Sequence, residues 1–186
     1  ALVRREYAAA GVDASQVETG AVIITGETAK KRNADEILAA LAGLAGEFVV
    51  SVAGPHVESM ISGRGAGAAH YAQVHFTTVT NVDIGGGSAN SATFHSGALV
   101  ATAAMNFGGR ILEIEPATGR VRAIAQPAQL ILADCGLRLQ VGDVTTPDAL
   151  RRFSERMSDL TIELIEGTAS PLAQQLSLRR APLARR

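Results

Sequence analysis

The chain has 186 residues, of which 47% are apolar and 19% charged, with a net charge of −1. That length supports one domain with a real core, and the composition is that of an ordinary globular protein. The near-neutral balance gives no electrostatic reason to expect nucleic acid or an anionic membrane as partner, and no apolar run approaches the roughly 20 residues of a membrane helix.

The single cysteine, Cys135, excludes an internal disulfide. A lone thiol fits a reducing cytosol, and its simplest role is that of a small buried hydrophobe. The opening ALVRREYAAAG is not a signal peptide, because Arg4, Arg5 and Glu6 stand where the apolar core should be. The chain lacks an initiator methionine, starts partway along a helix and ends on the basic LRRAPLARR, so a segment of a longer polypeptide is expected.

In chain order, residues 1 to 10 predict the end of a helix stopped by Gly11. GAVIITG (20 to 26) is a short apolar run bounded by glycines, the pattern of a strand buried on both faces. NADEILAALAGLAG follows, with Asn33 as N-cap and Glu36 three residues on, a capping-box arrangement. Ile37, Leu38, Leu41, Leu44 and Ala45 share one face of that helix. EFVVSVAG (47 to 54) is a second buried strand, so strand, helix and strand make a parallel α/β unit.

PHVESMISGRGAGA (55 to 68) opens as a short helix and breaks on its glycines. TTVTNVD is a third strand, expected to be buried. NSATFHS, GALVATAAMNF and ILEIEPATGRVRAIA then predict an antiparallel meander with tight turns at Ser96-Gly97 and Thr118-Gly119. The last long helix starts at TTPDAL, with Thr146 as cap, Pro147 in the first position and Asp148 at the positive end of the dipole. Leu150, Phe153, Met157, Leu160 and Leu164 form its apolar stripe and Gly167 ends it; Ser170-Pro171 caps a final short helix.

The stretch VTNVDIGGGSAN (79 to 90) carries the chemistry. A strand ending in Asp83 places a carboxylate at the mouth of a sheet. Gly85, Gly86 and Gly87 allow a turn with positive φ angles and no side chains. Such a turn aims backbone N–H groups at one point, where an anion can sit. Ser88 adds a hydroxyl donor and Asn90 begins the return strand. With a nucleotide phosphate as the anion, Asp83 is placed to hold hydrated Mg²⁺ and to orient the attacking water. The alternative is a glycine-rich hairpin without a ligand. A hairpin needs one or two glycines, however, and a charge at the end of a buried strand is costly unless paired or metal-bound. The loop is not a dinucleotide fingerprint, since no helix follows it, nor a Walker loop, since the chain contains no G-K-[ST].

In ITGET, Thr25 and Glu27 follow a strand, where open α/β sheets place cleft residues. Glu27 is a candidate to bind Mg²⁺ through water or to assist the attacking water; the alternative is a solvated loop residue beside Lys30, Lys31 and Arg32. Glu58 either faces the same cleft or, more simply, favours a helix N-terminus as a first-turn acid. GRGAGA (63 to 68) reads as a hinge turn rather than a phosphate contact of Arg64. His56, His70, His75 and His95 make no ligand-spaced pair, which argues against a transition-metal site. The absence of G-x-S-x-G argues against a hydrolase triad. The terminal Arg179, Arg180, Arg185 and Arg186 read as a solvated tail.

DIGGGSAN between two strands resembles the second phosphate loop of the actin, sugar-kinase and heat-shock ATPase superfamily. GAVIITGETAKKRNA, EFVVSVAGPHVES, GRGAGA, NVDIGGGSAN, NFGGRILE and LIEGTASPLAQ, in that order, are similar to the ethanolamine ammonia-lyase reactivating factors of ethanolamine utilisation. The resemblance implies a molecular chaperone that uses ATP and Mg²⁺ to release damaged cobalamin from the lyase, so that adenosylcobalamin can rebind. It also implies that NFGG (106 to 109) lies beside the nucleotide, making Gly108 and Gly109 further phosphate-loop candidates. Members of that family are longer. Their D-x-G-T first phosphate loop does not precede Gly20 here, and their C-terminal adenosine-contacting motif is absent, so weak ATP affinity is expected of this segment by itself.

The resulting expectation is an α/β fold of the actin-like ATPase (ribonuclease H-like) type, with mixed parallel and antiparallel sheets flanked by helices. Residues 1–76 would supply the end of a first lobe and 77–186 the start of a second, around a nucleotide cleft. Asp83 would bind hydrated Mg²⁺ and residues 85 to 88 would cradle the γ-phosphate. Lobe motion driven by ATP hydrolysis would pry the lyase subunits apart. The resemblance implies a cytoplasmic protein and leaves microcompartment association and a homo-oligomer open. Two rivals stand beside it: a small-molecule kinase of the same superfamily, for which ITGET offers Glu27 but no Asp as base, and a non-enzymatic filament-forming or scaffolding member.

Overall fold

The computed structural model describes residues 2–24, 47–52 and 54–179. They divide into two compact units, Ala1–Gly54 and Pro55–Arg186. In the first, helix α1 (Leu2–Ala10) ends where Gly11 turns left-handed at φ 68°. Strands β1 (Thr19–Ile24) and β2 (Glu47–Val52) pair in parallel, Thr19 opposite Glu47 and Ile24 opposite Val52. The two glycine-bounded apolar runs are thus neighbouring parallel strands, as expected of an α/β unit. The helix expected from Asn33 lies outside the described residues.

The second unit opens with α2 (Pro55–Gly65) and α3 (Ala68–Val74), separated at Gly67, where φ is 82°. GRGAGA is therefore divided: Gly63, Arg64 and Gly65 complete α2, and only Ala66 and Gly67 make the turn. Strands β3 (Thr78–Ile84), β4 (Ala89–His95) and β5 (Ala98–Met105) follow as an antiparallel meander. Ser96 and Gly97 turn between β4 and β5 with φ 48° and 88°. The meander then breaks. Strands β6 (Leu112–Ile114) and β7 (Val121–Ile124) form a separate antiparallel pair, turning at Gly119, φ 69°. Helices α4 (Gln126–Asp134), α5 (Pro147–Glu166) and α6 (Pro171–Leu176) lead to β8 (Ser177–Arg179), which completes the larger sheet in the order β3-β4-β5-β8.

Two expectations are corrected here. β3 is not a buried strand: it is the edge of its sheet among the described strands, and none of its residues is fully buried. The helices α3 and α4 and the strand β8 were not foreseen, and Arg179, expected in a solvated tail, ends that strand opposite Ala104.

Alternation along β4 and β5 gives the sheet two buried faces. Ala92 and Phe94 point to α2 and α3, where Ala68 and Ala72 complete a small cluster. Ala89, Ala103 and Met105 point to the opposite face, with Phe107, Ile131, Phe153, Leu160 and Leu176. Small residues in the central strands let helices approach closely on one side. Gly63 carries this furthest, since a Cβ there would stand 2.5 Å from the buried Phe94 ring. Cys135 packs against the larger cluster. Burial, with help from Asp134, pushes its thiol pKa up, away from the reactive thiolate.

α5 starts as its sequence dictates. The Thr146 hydroxyl accepts the Ala149 N–H at 3.2 Å, Pro147 follows, and Gly167 ends the helix at φ 71°. Phe153, Leu160 and Leu164 are buried, while Met157 is partly so. An ion network then ties three helices together. Arg156 contacts Asp134 at 2.7 Å and Glu163 at 3.0 Å, and donates to the Ser170 hydroxyl at 3.1 Å. Glu163 also accepts the Ser170 N–H at 2.8 Å. Burial alone would raise the Glu163 pKa, but the Ser170 N–H and the Arg156 guanidinium outweigh it and leave the carboxyl below its usual value of 4.5.

Because the folded-state pKa of Glu163 is depressed, its contribution to stability is complete above about pH 5 and is lost as pH falls through the folded value. Glu163→Gln is expected to cost about 1.5–3 kcal/mol at neutral pH and to flatten the acid limb of a urea-denaturation series. Gly63→Ala sets a gain in helix propensity of about 0.5–1 kcal/mol against the Phe94 clash. A net loss of about 1 kcal/mol or more is expected in the same assay.

Candidate functional site

β3 and β4 close at residues 85–88, where the Gly85 N–H donates to the Ser88 carbonyl at 2.8 Å. The expected positive φ angles are not found: none of Gly85, Gly86 and Gly87 is left-handed. Nor does internal packing demand them. A Cβ on Gly85 or Gly86 would meet nothing closer than 3.5 Å, and one on Gly87 nothing within 4 Å. What the three glycines provide is bare backbone that an outside group can approach closely.

The orientation of that backbone comes from the segment after β5. Gly109 donates its N–H to the Gly85 carbonyl at 2.9 Å, and Arg110 donates to the Gly86 carbonyl at 2.8 Å. Across a planar trans peptide the N–H opposes the C=O. The N–H groups of Gly86 and Gly87 therefore point away from residues 109 and 110, to one common side. No described residue accepts the N–H of Gly86, Gly87 or Ser88. Adjacent backbone donors without acceptors form an anion-binding concavity.

Gly108 makes the contact possible. A Cβ on it would stand 2.4 Å from the Gly85 oxygen and 2.7 Å from the Gly86 carbonyl carbon. The segment is itself anchored, because Phe107 and Ile111 on either side are buried in the larger core. The Asn106 N–H donates to Leu176 at 2.7 Å and the Ala125 N–H to Ile111 at 2.8 Å. Gly109 is less constrained, with only the Gly85 oxygen at 3.9 Å from its Cβ position.

Asp83 and Asn90 stand opposite each other in the β3–β4 register, so their side chains share one face. Asp83 is half-buried and makes no side-chain hydrogen bond or ion pair with any described residue. The argument from the cost of a buried charge therefore does not apply to it. Asn90 supplies the sharper signal. It is 2% exposed, its Nδ2 donates to the Ser88 hydroxyl at 3.4 Å, and its Oδ1 has no partner among the described residues. An orphaned buried acceptor costs about 1–3 kcal/mol. An acceptor beside a carboxylate calls for a donor, such as the water shell of a cation. Among the described residues no group of three or more His, Cys, Asp and Glu side chains comes together. A carboxylate without a described partner could hold a cation that keeps most of its waters.

Asp83, Gly85, Gly86, Gly87, Ser88, Asn90, Gly108 and Gly109 are therefore brought to one hairpin tip and its support. Glu27 and Thr25 lie outside the described residues. Glu58 sits in the first turn of α2, as expected of a helix-favouring acid. Sequence reading passed over Arg110, which carries no motif of its own and enters only through its backbone bond to Gly86.

A family model described as ethanolamine utilisation protein EutA matches residues 1–185. Similar curated proteins are the ethanolamine ammonia-lyase reactivase EutA of Escherichia coli (strain K12), 45% identical over 176 residues, and that of Salmonella typhimurium (strain LT2), 44% identical over 176 residues. The matches cover 94% and 95% of this chain but 37% and 38% of the relatives, so the chain spans under two-fifths of their length. No solved structure matches.

The contrast between two glycines tests the geometry. Gly108→Ala drives a Cβ into backbone and is expected to destabilise by about 2 kcal/mol or more, releasing the Gly109 and Arg110 amides to faster hydrogen exchange. Gly87→Ala points into open space and is expected to leave stability within about 0.5 kcal/mol.

Proposed function

The chain belongs to the ethanolamine utilisation protein EutA family, and on that premise we propose that it is part of an ATP-dependent reactivating factor for ethanolamine ammonia-lyase. Such a factor releases damaged cobalamin so that adenosylcobalamin can rebind. The observation that supports a nucleotide role is the tip at residues 85–88, with adjacent unpartnered N–H groups beside Asp83 and the orphaned Asn90 oxygen.

In this reading the tip belongs to an actin-like ATPase fold of two lobes, and α2 and α3 go with the tip because they pack on β4. The N–H groups of Gly86, Gly87 and Ser88 hold phosphate oxygens, and the Ser88 hydroxyl adds a donor. Asp83 accepts from the hydrated Mg²⁺ and orients the water that attacks the terminal phosphate, and Asn90 accepts a further hydrogen bond from the same water shell. Bound MgATP supplies the phosphoanhydride whose hydrolysis drives lobe motion. Glu27 is a second acid for water activation, Gly109 fastens the tip, and Gly108 leaves room for it.

The deciding assay uses the full-length protein that contains this chain. Ethanolamine ammonia-lyase is inactivated with a cobalamin lacking its adenosyl group, then given the protein, MgATP and adenosylcobalamin. Recovery that needs ATP and falls by about 100-fold or more with Asp83→Asn is expected. Intact ATP hydrolysis without recovery would sink the reactivase reading and leave a kinase or another chaperone.

A further inference from the structure

We infer that Arg110 is the cationic contact of the tip at residues 85–88, holding a phosphate oxygen of a polyphosphate ligand seated there. The inference deepens the phosphate reading of that tip and rests on it.

Three observations carry it. Arg110 is fastened to the tip by its own backbone, whose N–H donates to the Gly86 carbonyl at 2.8 Å. Its side chain then runs along the tip: Cδ, Cβ and Cγ lie 3.5, 3.7 and 3.7 Å from where a Gly86 Cβ would stand. The guanidinium is exposed and makes no hydrogen bond or ion pair with any described residue. A free head does not by itself set Arg110 apart, since Arg64 and Arg138 also pair with no described residue, but several arginines of the unit are engaged. Arg122 pairs with Glu115, Arg120 donates to the Gly142 carbonyl, Arg152 donates to the Cys135 carbonyl, and Arg156 bridges Asp134 and Glu163.

The chemistry of the tip asks for such a group. Its N–H donors are neutral, and Asp83 adds a negative charge of its own. A di- or triphosphate brings several more negative charges, and neutral donors alone leave them uncompensated. A guanidinium offers a planar fork that matches two phosphate oxygens. Arg110 itself makes the contact with Gly86, on the carbonyl side of the loop, so its head reaches the N–H side by passing Gly86, which has no Cβ and along which the stem already lies. Arg110 is exposed, so no packing holds its head away from a ligand at the tip.

The test is nucleotide affinity by calorimetry in the full-length protein, with ATP, ADP and adenosine at low and high salt. Wild type, Arg110→Ala and Arg110→Lys are compared, with Tm as the check on folding. Arg110→Ala is expected to weaken ATP binding by about 10- to 100-fold and to make it less salt-dependent, with adenosine affinity and Tm unmoved. Arg110→Lys should recover part of the loss, as a point charge without the fork. Equal ATP affinity in wild type and Arg110→Ala overturns the inference and leaves the phosphate reading standing. Equal losses for ATP and adenosine overturn it too, because a charge contact acts on phosphate alone. A wild-type protein that binds no ATP overturns both readings.

Discussion

Two backbone hydrogen bonds, from Gly109 and Arg110 to the carbonyls of Gly85 and Gly86, set the geometry on which the rest of the site depends. A run of three glycines has more backbone freedom to lose than any other sequence of its length. Left alone it would sample many turns. Here the two carbonyls are taken up on one side, and planar peptides turn the following N–H groups to the other. The same bonds remove two oxygens that would repel an anion. The tip is therefore ordered by its neighbours rather than by its own φ angles, which accounts for ordinary backbone conformations in a glycine triplet.

The seam holds because both partners are anchored elsewhere. Phe107 and Ile111 sit in the core beneath α4, α5 and α6, and bracket the segment that donates. β3 and β4 bring the accepting tip, with Phe94 buried under α2 and α3 on the opposite face of the sheet. The hairpin's position is thus set by packing on both faces, while its tip stays open. Asp83 gains from standing on an edge strand. Half-buried, it stays open to solvent and makes no side-chain bond with a described residue, which leaves its oxygens accessible to a ligand.

Much of this was legible in the sequence, because it rests on local rules. Thr146-Pro147, Gly167 and Ser170-Pro171 mark helix ends through caps, and the structure keeps all of them. Glycine-bounded apolar runs gave β1 and β2, and Ser96-Gly97 gave the hairpin between β4 and β5. What escaped was non-local. QPAQLILAD has a Pro near its start but no side-chain cap, so α4 carried no start signal. The burial of TTVTNVD was overestimated because an apolar alternation does not say whether a strand is central or at an edge. Asp83, Gly85–Gly87, Ser88 and Asn90 were found by motif. Gly108 was found only through family resemblance, and its steric role, like the place of Arg110, needs a contact across more than twenty residues of chain.

A single carboxylate at this tip also bears on the order of events in the proposed reaction. Mg²⁺ gives up its waters reluctantly and is rarely held by one protein oxygen. Among the described residues no group of three or more His, Cys, Asp and Glu side chains gathers there, so in the proposed reaction the ion would meet the Asp83 carboxylate and the amide oxygen of Asn90. In that reading affinity would come mainly from phosphate oxygens, and metal and nucleotide would enter as one species. The Asn90 oxygen, which has no partner among the described residues, would gain one from the bound ligand's water shell. A buried acceptor that gains a partner on binding would make the tip a place where ligand occupancy changes local stability, as the proposed nucleotide-driven motion requires.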